Sequence, residues 1–261
     1  MKHRTLFALP AVLAGILLSG CAADGETRGG SGTIDLQLTA SSEAVVVEAT
    51  RGTIPGITAP EESQFSLVIV KDGANPATSP RWDDITQYPT DNKLQVGGYT
   101  ATAAYGDPDS EGFERPAFGV SEHFEVLHGQ TVTVALEARL VNTAVTMEYT
   151  DDFKNYFSDY TVTVVNEGAD AKTFVKDETR AMFVRPEAFS LRLDYTRQSS
   201  GRSGTVSYDM ADLIEGEVAA CTHYKVGLDI NEGHVGGAAI VINLDGNIEE
   251  IPLEIEVGEG E

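Results

Sequence analysis

The stretch TVTVALEARLVNTAVTMEY, residues 131–149, decides the fold of this chain. Apolar side chains occupy every second position from Val132 to Ala138, which is the period of a half-buried β-strand. A second strand-like run follows at once, with only Val141 and Asn142 between the two. A connection this short predicts two strand-built domains that are held stiffly together.

The same alternation recurs along most of the chain, so nearly all regular structure is expected to be strand. The recurring runs are Ile34 to Leu38, Tyr99 to Tyr105, Tyr160 to Val164, Phe189 to Tyr195, Tyr224 to Ile230 and Ile251 to Val257. Glycine turns such as Lys71-Asp72-Gly73 and His128-Gly129-Gln130 separate them. This pattern predicts an all-β fold of antiparallel Greek-key sandwiches in which helices are minor, with short ones around Phe153 and Met210.

One sandwich takes about a hundred residues, so the 261-residue chain has room for two. We place the boundary at the short connection described above. The predicted organisation is a signal peptide at 1–20, a flexible tether at 21–32, an N-terminal β-sandwich at 33–141 and a C-terminal β-sandwich at 142–261.

The N-terminus has the features of an export signal. Lys2 and Arg4 form a basic head, and Leu6 to Leu18 form an apolar core that is too short to span a bilayer comfortably. The next residues, Leu18-Ser19-Gly20-Cys21, resemble the lipobox of bacterial lipoproteins. The resemblance implies cleavage before Cys21 and acylation of its thiol, which would anchor the chain in the outer membrane. The alternative is an ordinary secreted protein with a cysteine near its cleavage site.

The residues after Cys21 predict a tether that holds the folded part away from the membrane. The stretch 22–32 is rich in glycine and has no apolar residue larger than alanine. Asp24 and Glu26 resemble the acidic signal that sends Bacteroidales-type lipoproteins to the outer face of the membrane. We therefore expect the protein to be exposed at the cell surface.

The charge of the chain limits its partners. Removal of residues 1–20 takes away Lys2 and Arg4 and no acidic residue, which leaves 16 basic and 41 acidic side chains and a net charge of −25. This balance excludes a basic nucleic-acid footprint and electrostatic docking on anionic lipid. The membrane contact is therefore expected to be the lipid alone.

Two blocks of sequence carry a family resemblance. YGDP…EGF at 105–113 and FKNYFSDY at 153–160 resemble a Bacteroidales lipoprotein family whose domain has unknown function. The element VGGYTATAAYG at 96–106 is similar to the glycine-tyrosine strand of transthyretin-like sandwiches, the fold of fimbrillin-type pilins. The resemblance implies a surface lipoprotein that acts as an adhesin or a fimbria-related subunit.

We expect no catalytic residues and no cofactor other than the covalent lipid. Asp107, Asp109 and Glu111 alternate before Gly112 as in a calcium loop, but Phe118 stands where such loops carry glutamate. The alternative is a solvated acidic loop. The histidines lack the spacing of a zinc site, and no nucleophile motif is present.

The second cysteine is expected to be structural. If Cys21 carries lipid, Cys221 has no disulfide partner. Because Cys221 lies just ahead of a strand-like alternation, we predict a buried apolar side chain there.

Aromatic residues in loop-rich stretches offer a possible glycan contact. The candidates are Trp82 and Tyr88, with Phe113 and Phe118 in similar loop-rich stretches. The alternative is that the single tryptophan fills the core.

The last candidates are residues that could take part in the assembly of subunits. In fimbrillin-like proteins an arginine after the first strand is cut, which frees a groove for a neighbour's strand. Arg51 in VEATRGTIPG stands at such a place, while a cut at Arg28 in the tether would only shed the lipid. An arginine in an exposed connection is the simpler explanation of Arg51. Pro252 suits an edge strand that a partner could cover.

Three hypotheses follow from the sequence. The first is a non-catalytic outer-membrane surface lipoprotein that presents a binding or adhesive surface to a host protein or glycan. The second is a fimbrial anchor or accessory subunit that assembles with other subunits by strand addition. The third is a glycan-binding lipoprotein of an uptake system.

Overall fold

The computed structural model describes residues 29–46, 50–166, 168, 170–214, 216–235, 237–244 and 247–253. The strands are β1 Ser31–Ala40, β2 Glu43–Val46, β3 Thr50–Thr53, β4 Ser66–Lys71, β5 Arg81–Trp82, β6 Leu94–Gln95, β7 Gly97–Tyr105, β8 Gly112–Phe113, β9 Phe118–Val126, β10 Thr131–Leu140, β11 Thr143–Tyr149, β12 Phe157–Asn166, β13 Lys172–Phe174, β14 Met182–Val184, β15 Phe189–Arg197, β16 Ser203–Asp209, β17 His223–Asn231, β18 Ala239–Leu244 and β19 Asn247–Pro252. The predicted all-β class is confirmed. In the described part, no helix is long and apolar enough to cross a membrane.

Helices are short, as the sequence predicts. Within the described residues there is one α-helix, α1 Asp151–Tyr156, and four 3₁₀ turns, Glu62–Gln64, Pro76–Thr78, Ile85–Gln87 and Met210–Asp212. The Thr150 hydroxyl caps α1 by accepting a hydrogen bond from the Phe153 amide at 3.2 Å. Asp151 and Asp152 add negative charge in the first turn, which favours the positive end of the helix dipole.

The N-terminal half, residues 29–141, is built on a seven-stranded sheet in the order β5-β4-β7-β9-β10-β1-β6. Between β9 and β10 only two residue pairs form, Gly119 with Arg139 and Phe118 with Leu140. Strands on both sides of this narrow join contribute side chains to the first core. Fully buried members of that core include Ile34, Leu67 and Leu136.

The C-terminal half, from residue 142 on, has two sheets. One has six strands in the order β19-β18-β17-β11-β14-β8, and the other has four in the order β13-β12-β15-β16. Between them lies the second core, which is rich in aromatic rings. The Phe153 ring contacts those of Phe157 and Tyr160, with centroids 4.8 Å and 5.0 Å apart. Burial of each such aromatic or aliphatic side chain stabilises the folded state by about 1.5–3 kcal/mol relative to leaving it exposed to water.

In the described residues, each half contains one parallel strand pair among its antiparallel pairs. β1 runs parallel to β10, with Ile34 opposite Val132, and β11 runs parallel to β17, with Met147 opposite Val226. Alternation along a strand reports only which face is buried and carries no information about the direction of the neighbour. The sequence could therefore predict the strands but not these two pairings.

Contacts across the junction join the halves. β8, from the long β7–β9 connection, pairs with β14 of the C-terminal half. The side-chain amide of Asn142 donates to the Arg115 carbonyl at 3.0 Å and accepts from the Ala117 amide at 3.3 Å. Phe183 packs into the first core. The division at 141/142 into separate domains stays a prediction.

The strand directions define two ends of the molecule. Gly29 lies at the start of β1, and the parallel strand β10 runs from that end toward β11 and the C-terminal half. Asn166, at the end of β12, contacts Glu111 of the N-terminal half, so the start of β12 at Phe157 lies at the far end. We call the end at Gly29 the tether end and the end at Phe157 the distal end.

Candidate binding site

A groove of about 310 Å³ lies on the outer face of the four-stranded sheet, toward the distal end. Its walls are two cross-strand rows of polar side chains that point away from the core. The rows are Asp159, Thr196 and Ser203, and Thr161, Asp194 and Thr205. Tyr160, Tyr195 and Gly204 lie between the rows and form the floor. We call this site the outer groove.

The local sequence explains why these side chains face outward. In β12, β15 and β16, threonine, serine and aspartate alternate with apolar residues such as Val162, Leu193 and Val206, which pack on the second core. Because side chains alternate between the two faces of a strand, the polar ones share the outer face.

The polar groups of the walls hold one another in place. The Thr205 hydroxyl donates to Asp194 Oδ1 at 2.5 Å, and the hydroxyl oxygens of Thr196 and Ser203 are 2.9 Å apart. Arg192 Nη2 lies 2.8 Å from Asp194 Oδ2. The hydrogen bond from Thr205, and then that from Arg192, hold the pKa of Asp194 below its usual value. Asp194 is therefore a fixed negative charge at neutral pH.

Tyr195 is turned into the sheet rather than toward the groove opening. Its ring contacts that of Phe157, with centroids 4.8 Å apart, and lies over Gly204. A Cβ at position 204 would be 2.5 Å from the Tyr195 hydroxyl oxygen. The glycine at position 204 thus makes room for the tyrosine ring.

The chemistry of the outer groove is that of a hydrogen-bonding site. Its walls carry hydroxyl groups and two carboxylates, and histidine, cysteine and lysine are absent from its lining. Asp159 and Asp194 would repel an anionic ligand. An uncharged ligand rich in hydroxyl groups, such as a sugar, fits these groups best.

A second cavity, of about 360 Å³, lies at the junction of the two halves. Its lining includes Asp109, Glu111, Asp170, Lys172 and Arg185. The side chain of Glu111 is only 5% exposed, and its Oε1 lies 3.3 Å from Arg185 Nε. The same oxygen accepts hydrogen bonds at 3.0 Å from the Arg185 amide and at 3.0 Å from the Asn166 side chain.

These contacts bear on the calcium candidates. Glu111 faces a guanidinium group, whereas Asp107 Oδ1 accepts from the Asp109 amide at 3.0 Å within its own turn. Among the described residues, no group of three or more histidine, cysteine or acidic side chains is arranged to hold a metal ion. Glu111 thus joins the two halves through Arg185 and Asn166. Calcium binding by Asp107, Asp109 and Glu111 stays a prediction beside the alternative of a solvated acidic loop.

The glycan candidates are less exposed than their place in the sequence suggests. Tyr88 is buried, and its ring meets that of Trp82 edge-on with centroids 5.0 Å apart. Phe118 is also buried, and Phe113 packs on Phe174. The expectation that Tyr88 and Phe118 lie exposed in loops is wrong, because both side chains belong to the first core. Glycan contact through the partly buried Trp82 stays a prediction.

The candidate processing site, Arg51, lies next to residues that the structure does not describe, and the lipidation candidate lies among such residues. Arg51 is in β3, which forms a hairpin with β2. Cys21 and Arg28 lie outside the described residues. Cys221 is a free, partly buried cysteine whose thiol lies 3.4 Å from the Glu43 carbonyl oxygen.

One buried polar residue was missed by the sequence reasoning as a candidate. His223 is completely buried, and its Nε2 lies 2.9 Å from the Thr146 hydroxyl oxygen. Burial, and then the charge of Lys225, lower its pKa to about 4. Its position in a strand-like run was visible in the sequence, but the contact of that strand, β17, with β2 of the other half was not.

The outer groove was missed as well. The alternating threonines and aspartates of β12, β15 and β16 were visible in the sequence as outward-facing positions. No sequence signal told which strands pair, and therefore which of these residues form the two walls.

The fold and these sites define an all-β protein of two joined halves with a polar surface groove. A family profile described as "Domain of unknown function (DUF4493)" matches residues 30–259. The chain therefore belongs to that family. This agrees with the resemblance found in the sequence. A search of curated proteins gives no match.

Solved structures from Bacteroidales resemble the chain over most of its length. The fimbrial anchor protein Mfa2 of Porphyromonas gingivalis has 12% identity and a TM-score of 0.48, over 85% of this chain and 100% of its own. A candidate adhesin of Bacteroides thetaiotaomicron has 8% identity and a TM-score of 0.46, over 87% and 100%. A candidate polysaccharide-binding protein of the same species has 11% identity and a TM-score of 0.41, over 85% and 98%. Identities this low do not carry the neighbours' functions over to this chain.

Proposed function

We propose that this protein is a non-catalytic lipoprotein, anchored through Cys21, that presents its C-terminal half as a binding surface outside the cell. The observation that carries the proposal is the position of Gly29, the first described residue. Gly29 lies at the tether end, opposite the C-terminal half, and only seven residues separate it from Cys21. A lipid on Cys21 would hold the tether end near the membrane and leave the outer groove pointing outward.

The groups exposed at the distal end suit this role. The outer groove offers hydroxyl and carboxylate groups to a polar ligand. The net charge of −25 repels anionic surfaces, which favours an uncharged ligand. The structural neighbours are described in the same terms, as a fimbrial anchor, an adhesin and a polysaccharide-binding protein.

Fatty-acid labelling tests the anchor directly. Cells that express the full chain are grown with an alkyne-tagged fatty acid, and the protein is isolated and examined for the tag. We expect label on the wild type and on Cys221→Ser, and none on Cys21→Ser, because the acylated thiol is missing. An unlabelled wild type, or equal label on Cys21→Ser, would rule the anchor out.

A second candidate function is a fimbrial anchor or accessory subunit assembled by strand addition. It is favoured by the open side of β1, which pairs with β6 only at Ser31 and Gly32 but with β10 from Thr33 to Ala40. A cut after Arg51 would separate β1 and β2 from the rest of the chain and allow a partner strand to replace them.

An unheated SDS gel of outer-membrane extract tests this second candidate. Strand-exchanged subunits give a ladder that collapses on boiling, and Arg51→Ala should abolish it while Arg28→Ala, in the tether, should not. A single band near 28 kDa for the wild type excludes polymerisation.

A further inference from the structure

β16 is an edge strand without the usual protection against pairing. All seven of its residues, Ser203–Asp209, pair with β15 on one side, and no strand of the described part pairs on the other. Edge strands normally carry lysine, proline or several charges that prevent further pairing. β19 has Glu249, Glu250 and Pro252, whereas the single charge of β16 is Asp209 at its end.

The backbone of β16 is free to pair on its outer side. Within the described residues, its backbone hydrogen bonds go to β15, and the side chains of Ser203 and Thr205 also bond toward that strand. The N–H and C=O groups that face away from β15 have no protein partner there. Such a row of groups is a template for an added strand.

The sequence SGTVSYD is complementary to itself in the antiparallel direction. Centred on Val206, the strand places Val206 opposite Val206 of the second copy. The other facing pairs are Thr205 with Ser207, Gly204 with Tyr208 and Ser203 with Asp209. Hydroxyl groups meet hydroxyl groups, the smallest side chain meets the largest, and no like charges meet.

We propose that β16 pairs antiparallel with β16 of a second copy of this chain, in the register centred on Val206. The two four-stranded sheets then form one continuous sheet of eight strands. A symmetric pair of this kind is the usual way in which identical chains associate.

The pairing predicts a contact between cells, and this part rests on the proposed function. β16 runs from the distal end at Ser203 toward the tether end at Asp209, because its partner β15 runs from Phe189 to Arg197 beside β12. Antiparallel pairing therefore inverts the second copy and puts the two tether ends on opposite sides. Two anchored copies can then pair only when they belong to facing membranes.

Acidic residues of β19, an edge strand of the other sheet, predict how the ionic strength affects the association of the two copies. β19 lies beside the end of β16, since Asn247 donates to the Leu213 carbonyl at 3.0 Å. The pairing brings Glu249 and Glu250 of the two copies toward each other. Their repulsion is screened by salt, so the dimer should tighten as the ionic strength rises from about 0.05 to 0.5 M.

Disulfide trapping tests the register. The full chain is purified in detergent in a Cys221→Ser background, and either Val206→Cys or Ser207→Cys is added. Facing positions of an antiparallel pair lie within disulfide reach, and Val206 faces itself whereas Ser207 faces Thr205. Oxidation should give a covalent dimer with Val206→Cys and little with Ser207→Cys. Equal yields, or no dimer from a folded Val206→Cys chain, would overturn the register.

A charge on the edge tests the association itself. Ser207→Lys puts a lysine on the exposed face of β16, and Thr173→Lys puts one on the same face of the opposite edge strand, β13. By sedimentation, Ser207→Lys should weaken the dimer by about tenfold and Thr173→Lys should leave it unchanged. Equal association of the two variants would contradict the proposal. Thermal melting followed by circular dichroism serves as the control that both variants are folded.

Mixing cells tests the inverted arrangement. Two differently coloured cell populations that both carry Val206→Cys should form mixed aggregates with disulfide-linked dimers between the colours. Dimers confined to one population would overturn the contact between membranes. The fatty-acid label in the same cells tells whether the anchor of the proposed function is present, so its failure is distinguishable from failure of the pairing.

Discussion

Acidification should weaken the fold through one buried histidine. His223 has no exposed surface, and in the described residues its Nδ1 has no hydrogen-bond partner. Its other ring nitrogen meets the Thr146 hydroxyl, a neutral group. β2 of the N-terminal half contacts β17, on which His223 lies. A proton on this ring would place a buried, unpaired charge beside the junction of the halves.

The size of the effect follows from the pKa. Burial lowers the pKa of His223 from 6.5 to about 4. The unfolded chain therefore takes up a proton as the pH falls below 6.5, whereas the folded chain does so only near 4. Stability is lost across this interval, and a difference of about 2.5 pKa units corresponds to about 3 kcal/mol at 1.36 kcal/mol per unit. Above pH 6.5 the histidine contributes no pH dependence.

Urea unfolding at pH 7.5, 5.5 and 4.0 measures the loss of unfolding free energy that is due to His223. Carboxylates also titrate over the range, so the wild type is compared with His223→Leu, which cannot take up a proton. The free energy of unfolding of the wild type should fall by about 3 kcal/mol more than that of His223→Leu between pH 7.5 and 4.0. Parallel pH curves for the wild type and His223→Leu would refute the reasoning.

Three further substitutions test the packing. Glu111→Ala breaks a buried ion pair and should lower the free energy of unfolding by about 3 kcal/mol, while Glu187→Ala, whose carboxylate is half exposed, should cost under about 1 kcal/mol in the same urea titration. Trp82→Ala should lower the melting temperature as well as any polysaccharide retention, and a loss of retention with unchanged melting would instead mark Trp82 as an exposed contact. Gly204→Ala should cost about 1 kcal/mol in the wild type and less in a Tyr195→Ala background, since the added methyl group meets that ring. Equal costs in the two backgrounds would contradict this packing.

The sequence predicted the strands because burial on one face leaves a period of two. Ile34, Leu136 and Val162 alternate with polar residues, and all three are buried. Glycine turns and the short helix around Phe153 were also visible as local signals. These features depend on neighbours in the chain, so they could be predicted without knowing the partners of each strand.

Features that depend on distant residues were not predicted. The parallel pairing of β1 with β10 joins segments about a hundred residues apart, and nothing in either strand specifies the direction of the other. Glu111 was visible only as part of an acidic run, and its contact with Arg185 requires the β7–β9 connection to reach the other half. Tyr88 was placed in a loop, but the loop folds its ring into the core.

Labelling of intact cells tests the central claim that the C-terminal half is displayed away from the membrane. In a Cys221→Ser background, Val235→Cys puts a thiol in the β17–β18 loop at the distal end, and Leu127→Cys puts one at the tether end. Their native side chains are 94% and 45% exposed. A bulky, membrane-impermeant polyethylene glycol maleimide should label position 235 on cells much faster than position 127, and the two should react more alike in detergent. Equal labelling on intact cells, or faster labelling at 127, would contradict the orientation.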